Sequence, residues 1–237
     1  IRSQFLLALG VPIKRYSKSN FKKFIYMNFG VNYLNNEHVV DRYMKTISFL
    51  DVKNDGKGLD YFISNDAQVA FDIRQDFIAW SIGGSKIQKK LSPDQISQAC
   101  LKIDMPIILL GSEKEKLEAE QVIGNCSGRK IYNFCGRLSL DQSALIIKNC
   151  MMLLSNDTGL MHIGAAFNKN IISFWGCTKP DMGFSPYVIS SSSIEILSEK
   201  SEKQCSKHGD SCRFTKDGCV KLINSEKIYE AVQKFRS

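Results

Sequence analysis

The chain predicts an α/β protein built on a doubly wound parallel sheet. Three observations carry the prediction. Short apolar runs recur at 77–82, 107–110, 131–134, 151–154 and 171–175. Glycine or small polar residues close most of them, and segments with helix-capping starts fill the intervals between them. Uninterrupted apolar runs of this length suit strands buried on both faces. Strands alternating with helices imply right-handed crossovers. Ligands of such sheets bind beyond the carboxyl ends of the strands.

The elements follow in order. Residues 1–9 read as a short helix ended by Gly10 and Pro12. Residues 18–29 mix aromatic and basic side chains without a clear period, as a strand or an irregular stretch would. His38 starts an amphipathic helix to about Leu50, its apolar face at 39, 40, 43, 44, 47 and 50. Residues 51–60, rich in Gly, Asp and Lys, read as a loop. From Asp76 the pattern becomes regular. Gly83-Gly84-Ser85 ends the first strand, and Ser92-Pro93-Asp94 opens a helix to about 103, with Ser92 as N-cap and Pro93 at N1. The strand at 107–110 ends at Gly111, and a charged helix occupies 114–123. The strand at 131–134 precedes a helix at 140–148. The strand at 151–154 leads through a tight turn into a helix ending near Phe167, and the strand at 171–175 is closed by Gly176. Residues 190–193 form a polar break, 199–218 a charged tail bearing cysteines, and 225–235 a last helix with Ser225 as N-cap and Ile228, Val232 and Phe235 on one face.

Bulk composition narrows the class. The 237 residues are 43% hydrophobic and 24% charged, the profile of a globular protein with a substantial core. No apolar run approaches the ~18 residues of a membrane span, and 5–9 is too short for a signal-peptide core. The chain begins with Ile1 rather than Met, as a processed or partial sequence does. The net charge of +8 favours anionic partners such as nucleotides, phosphorylated sugars or an acidic membrane surface. The lysines are dispersed and no nucleic-acid motif accompanies them, so nucleic acid is not an expected partner. With no export signal, the eight cysteines are expected as reduced thiols, with Cys100 and Cys150 in the core.

The segment Ser155-Asn156-Asp157-Thr158-Gly159-Leu160-Met161-His162 places an acid, a hydroxyl and a glycine at the mouth of a helix. Free N–H groups and the positive end of the helix dipole suit a phosphate there, and Gly159 keeps Cβ out of the way of a ligand. Asp157 and Thr158 are equally ordinary helix caps, and His162 alone reads as a packed helical histidine. A second constellation, Cys205, His208, Cys212 and Cys219, has the spacing C-x2-H-x3-C-x6-C. It is open to zinc, free thiols or a disulfide.

The stretch from Leu154 through Asp157-Thr158-Gly159-Leu160-Met161-His162 to Phe174-Trp175-Gly176 and Pro180 resembles the signature of glycosyltransferase family 9, which includes the ADP-heptose:lipopolysaccharide heptosyltransferases. Several other segments resemble that family in order and spacing. These are Ile1-Arg2-Ser3-Gln4-Phe5-Leu6-Leu7, His38-Val39-Val40-Asp41-Arg42-Tyr43, residues 77–93, Ile107 to Glu115, and Asn133-Phe134-Cys135-Gly136. The resemblance implies a GT-B architecture of two Rossmann-like domains, the second binding donor and the first acceptor. On that template residues 1–72 are a partial acceptor-side domain and linker, 73–224 the nucleotide-sugar domain, and 225–237 a helix packing back toward the first domain. The first strands and the general base, an aspartate, would lie ahead of Ile1.

The resemblance implies an ADP-sugar donor, a lipopolysaccharide or related glycan acceptor, no cofactor, no metal in the chemistry, and a cytoplasmic enzyme in peripheral contact with the anionic inner membrane. It assigns Thr158, Gly159 and Leu160 to the diphosphate through backbone N–H groups, Asp157 to sugar hydroxyls and His162 to the phosphates. Lys89, with Lys90 as the alternative, becomes the stabiliser of the leaving group. Gly83, Gly84 and Ser85 would approach the phosphates, and the backbone of Cys135 and Gly136 the adenine edge. Glu113 or Glu115 would hydrogen-bond the ribose, or simply cap a helix. The alternative reading is a non-catalytic nucleotide-sugar-binding module that lacks the base.

Overall fold

The structure, a computed structural model, describes residues 16–34, 36–72, 74–200, 204–206 and 208–236. The helix expected at 1–9 lies outside them. The scaffold is one six-stranded, wholly parallel sheet: β1 (Ile78–Ser81), β2 (Ile107–Leu110), β3 (Ile131–Asn133), β4 (Met152–Asn156), β5 (Asn170–Trp175) and β6 (Ser193–Leu197). Their spatial order is β3-β2-β1-β4-β5-β6. The chain therefore winds outward from β1 in one direction, then crosses back to β4 and winds in the other. β1 and β4 are neighbours, Trp80 paired with Leu154 and Ser81 with Ser155. The loops leaving them diverge and open a crevice at this switch point.

The sheet is buried on both faces. Every residue of β1, β2 and β4 is buried, which is why their sequences read as unbroken apolar runs. One face carries Trp80, Leu109, Leu154 and Phe174 against helices α3 (Pro93–Lys102), α4 (Lys116–Asn125) and α7 (Ser225–Lys234). The other carries Ala79, Ile108, Leu153 and Ile171 against α5 (Leu140–Asn149) and α6 (Gly159–Ala166). Local signals start the helices: Ser92 with Gln95, and Ser139 with Gln142, both form reciprocal capping boxes.

Four expectations change. Residues expected as strand or irregular are helix α1 (Asn20–Phe29), whose Lys23 and Tyr26 turn inward one turn apart. The polar break at 190–193 leads directly into the edge strand β6. The cap of α7 is Asn224, whose side chain accepts from the Glu226 N–H, and Ser225 is the first helical residue. And α7, expected against the amino-terminal segment, packs among the described residues on the sheet domain. Its stripe of Ile228, Ala231 and Val232 joins the main core beside α3, and Gln95 of α3 donates to the carbonyls of Val220 and Ile223 just before it.

Residues 16–72 are laid along the sheet domain. Helix α2 (Val39–Ile47) grips the loop after β5: the Val39 N–H donates to Gly183 O, Arg42 Nη2 to Met182 O, and His38 Nε2 bonds Ser185 O at 2.9 Å. Tyr26 of α1 donates to Asp181 at 2.6 Å. Further on, Tyr61 and the Ser64 N–H both bond Asp141 at the start of α5.

Candidate functional site

The turns after β1 and β4 form one wall and floor of a cleft of about 780 Å³, completed by residues after β2 and at the start of α5. Lining it are Ser81, Gly83, Gly84, Ser85, Asp157, Thr158, Gly159, Leu160 and His162, with Ser112, Lys114 and Glu115 on the β2 side and Leu138, Leu140 and Ser143 opposite. A second cavity, of about 660 Å³, lies between α1 and α2 and is lined in part by Lys18, Lys22, Glu37, Arg42 and Lys45.

The β4 turn is held from beneath. Asn156, fully buried, donates through Nδ2 to the carbonyls of Ile82 and Gly83, each at 3.0 Å, and stitches the two turns together. Ser155 and Ser81 hold the Thr158 hydroxyl between them at 3.2 and 3.4 Å. Thr158 is the N-cap residue of α6, but its side chain does not cap, leaving the first N–H groups of that helix to other partners. A methyl group added at Gly159 would meet no atom within 4 Å. The space beside this backbone is open.

At the mouth of α6, Lys89 Nζ lies 2.6 Å from Asp157 Oδ2, and the two side chains are only 13% and 14% exposed. Thr178, just after β5, donates to the same oxygen at 3.1 Å. An ammonium is thus fixed over a helix N-terminus, where it adds to the dipole that favours anions. Lys90, the alternative cation, is engaged elsewhere: it is buried between Glu115 and Glu118, at 3.0 and 2.7 Å. Burial pushes its pKa down, but the two carboxylates outweigh that and hold it above the ordinary lysine value. Burial likewise pushes Glu115 up, and hydrogen bonds from Ser112 and Lys90 outweigh it and hold the carboxyl below its usual value. Burial lowers the pKa of His162 and favours the neutral imidazole, partly offset by the charge of Asp157.

The remaining sequence-predicted residues sit at the β2–β3 side. Glu115 caps the turn after β2 by accepting from the Ser112 N–H and hydroxyl. Glu113 is exposed and pairs with Lys116 at 3.2 Å. Cys135 is fully buried behind Gly111, and Gly136 takes a positive φ of 70° with Glu113 packed against it. Glu113, Cys135 and Gly136 do not line the cleft. Asn156, Ser155, Ser81 and Thr178 were missed because each is unremarkable in sequence and acts only through neighbours set by strand order.

The tail cysteines also rearrange. His208 is exposed and stands outside the cluster. The fourth member is Cys177, directly after β5, whose Sγ lies with those of Cys205, Cys212 and Cys219 in a group all within 4.8 Å of one another. Its distance along the chain from the other three hid it from a spacing argument.

Comparison with known proteins places this geometry. The family model described as glycosyltransferase family 9 (heptosyltransferase) matches residues 12–215. Lipooligosaccharide heptosyltransferase 2 of Haemophilus ducreyi is 34% identical over 91 residues, 36% of this chain and 26% of that protein. Among solved structures, a family 9 glycosyltransferase from Veillonella parvula superposes with a TM-score of 0.67 at 18% identity, covering 84% of this chain and 60% of the other. E. coli ADP-heptose lps heptosyltransferase II does so with 0.56 at 17%, covering 70% and 48%. The chain thus spans about half the length of the solved proteins it resembles. The fold agrees, the signature turn sits at the sheet's switch point, and the family match runs through most of the sequence: the chain belongs to glycosyltransferase family 9, the heptosyltransferases.

Proposed function

We propose that this chain is the donor-binding half of an inverting glycosyltransferase that transfers a sugar, heptose, from an ADP-sugar to a lipopolysaccharide core or related surface glycan, without a metal ion at the reacting centre. The observation that carries this reading is the Lys89–Asp157 pair at 2.6 Å across the open mouth of α6. Breaking the bond from sugar to diphosphate develops negative charge on the leaving oxygen. The N-terminus of α6 supplies about 0.3–1 kcal/mol toward a nearby anion at exposed sites and up to ~2 when partly buried, too little alone. The Lys89 ammonium adds a charge-assisted hydrogen bond, and a fixed dipole with a fixed cation needs no reorganisation as the charge appears.

In this account the N–H groups of Gly159 and Leu160 and the Thr158 turn receive the diphosphate. When it arrives, Lys89 shares its ammonium between phosphate and Asp157, and Asp157 turns its free acceptor capacity to sugar hydroxyls. His162, neutral, lends a hydrogen bond to the same group. Ser112 and Glu115 face the nucleoside end. The base that deprotonates the acceptor belongs to the acceptor-side domain, and a single displacement then inverts the anomeric centre. The net charge of +8 suits an anionic acceptor at the cytoplasmic membrane face.

The test is calorimetry with ADP and an ADP-sugar. Lys89→Met should weaken ADP binding about 10- to 100-fold, the loss of one charge-assisted bond. Asp157→Asn should weaken the ADP-sugar more than ADP. Unchanged affinities in both variants would remove the assignment.

A further inference from the structure

We propose that Cys177, Cys205, Cys212 and Cys219 bind one tetrahedrally coordinated thiophilic metal ion of the zinc class, and that this centre pins the segment after β6 onto the Lys89 turn. The four sulfurs lie within 4.8 Å of one another, and Cys177 Sγ and Cys219 Sγ are 3.7 Å apart. A disulfide needs about 2.05 Å. Zinc–sulfur bonds of about 2.3 Å arranged tetrahedrally put sulfurs about 3.8 Å from each other. The separation therefore suits four thiolates around an ion rather than a covalent pair.

The surroundings are those of a charged sulfur cluster. Cys177, Cys205 and Cys219 are buried, so the group is screened from water. Cys212 Sγ accepts from the N–H groups of Phe214 and Thr215 at 3.4 Å each and from the Thr215 hydroxyl at 3.8 Å. Donors converging on a ligating sulfur are how outer-shell groups orient it and spread its charge. The Cys205 N–H donates to the Cys177 carbonyl at 3.0 Å, tying the tail to the end of β5 by backbone as well.

The centre reaches the cleft through close packing. Cys177 is followed by Thr178, which holds Asp157. Gly209 lies so close to Lys89 that an added methyl would come within 2.6 Å of Cε, and one on Gly218 would come within 2.5 Å of the Gln88 backbone. The loop that the ion would fold is therefore the cover that keeps the Lys89 side chain directed at Asp157. The metal site stands apart from the proposed function; only its link to the cleft rests on it.

The experiment uses the full chain, purified without chelator. Elemental analysis should find about one equivalent of zinc per chain. One equivalent of iron with thiolate charge-transfer absorption would equally support the site and assign it to iron. Cys212→Ser, at the half-exposed ligand, should lose most of the metal, while His208→Ala should keep it. Stripping the ion should open Arg213 and Lys216 to trypsin, and restoring zinc should close them. Chelation should also weaken ADP binding several-fold; if it leaves ADP binding unchanged while the metal and protease results hold, the coupling to Lys89 is overturned and the site stands. Sub-stoichiometric zinc and iron, metal retained in Cys212→Ser, or a bridged pair two hydrogens lighter by intact mass would overturn the site itself.

Discussion

Two regions of the molecule achieve order in different ways. The sheet domain closes on itself: two apolar layers sandwich the sheet, and every residue of its inner strands β1, β2 and β4 is buried. Among the described residues of 16–50, only Tyr26 and Leu34 join the loop residue Met182 in a core of their own, and Phe21, Phe29, Phe49 and Leu50 are more than half exposed. Their fixed points are polar. His38, Arg42 and Tyr26 all hold the 181–185 loop after β5. The proposed donor cleft belongs to the first kind of region; α1 and α2 belong to the second and depend on a handful of directional contacts.

The contrast can be broken most strongly inside the sheet. Leu154→Ala deletes a fully buried side chain of β4 and should cost about 3 kcal/mol of global stability, seen as a lower melting temperature with the whole sheet unfolding together. A loss confined to the amino-terminal segment would contradict the division. Arg42→Met should cost less, about 1.5–3 kcal/mol for a hydrogen bond from a charged group, and its effect should be local. Hydrogen exchange in α1 and α2 should quicken while that of β1 and β4 stays as it was.

The smallest effect is a pH dependence. His38 Nδ1 accepts the Val40 N–H, which only an unprotonated nitrogen can do, while Nε2 bonds Ser185 O. Its neighbours are Asp41, Arg42 and the Tyr187 ring, centred 4.7 Å away. Burial lowers its pKa most; the Ser185 carbonyl and Asp41 push back by less, and Arg42 adds the smallest lowering contribution. The folded value thus lies below the ordinary 6.5. The docking free energy is intact above that ordinary value and falls as pH drops from there through the folded value. Exchange in α2 should quicken over that acidic window, and His38→Asn, which keeps a capping acceptor, should flatten the response.

Much of the sheet domain was legible because its strands needed no context. Parallel strands buried on both faces advertise themselves as apolar runs, and Ser92 and Ser139 announce their helices through their own capping glutamines. β6 was not legible: it is an edge strand with only Ile196 fully buried, and it begins inside a serine run. α1 was missed because a buried lysine stands on its inner face where a period would place an apolar residue. In the cleft, the turn from Asp157 to His162 is legible as a helix start, and its assignment to a ligand rests on the family resemblance. Asn156 and Thr178 are not legible, since their partners are chosen by the β1-β4-β5 adjacency, which no local pattern encodes. Cys177 escaped for the same reason. That Lys89 pairs with Asp157 while Lys90 sits between Glu115 and Glu118 is likewise set by tertiary packing.

We propose that an ADP-sugar diphosphate is gripped where β4 passes into α6. The most direct test is a crystal of the protein soaked with ADP-heptose at saturating concentration. The diphosphate should lie against the N–H groups of Gly159 and Leu160 with Lys89 Nζ in hydrogen-bond reach, and the sugar should lie beside Asp157. A nucleotide seated in any other cavity, or a vacant cleft under those conditions, would contradict it.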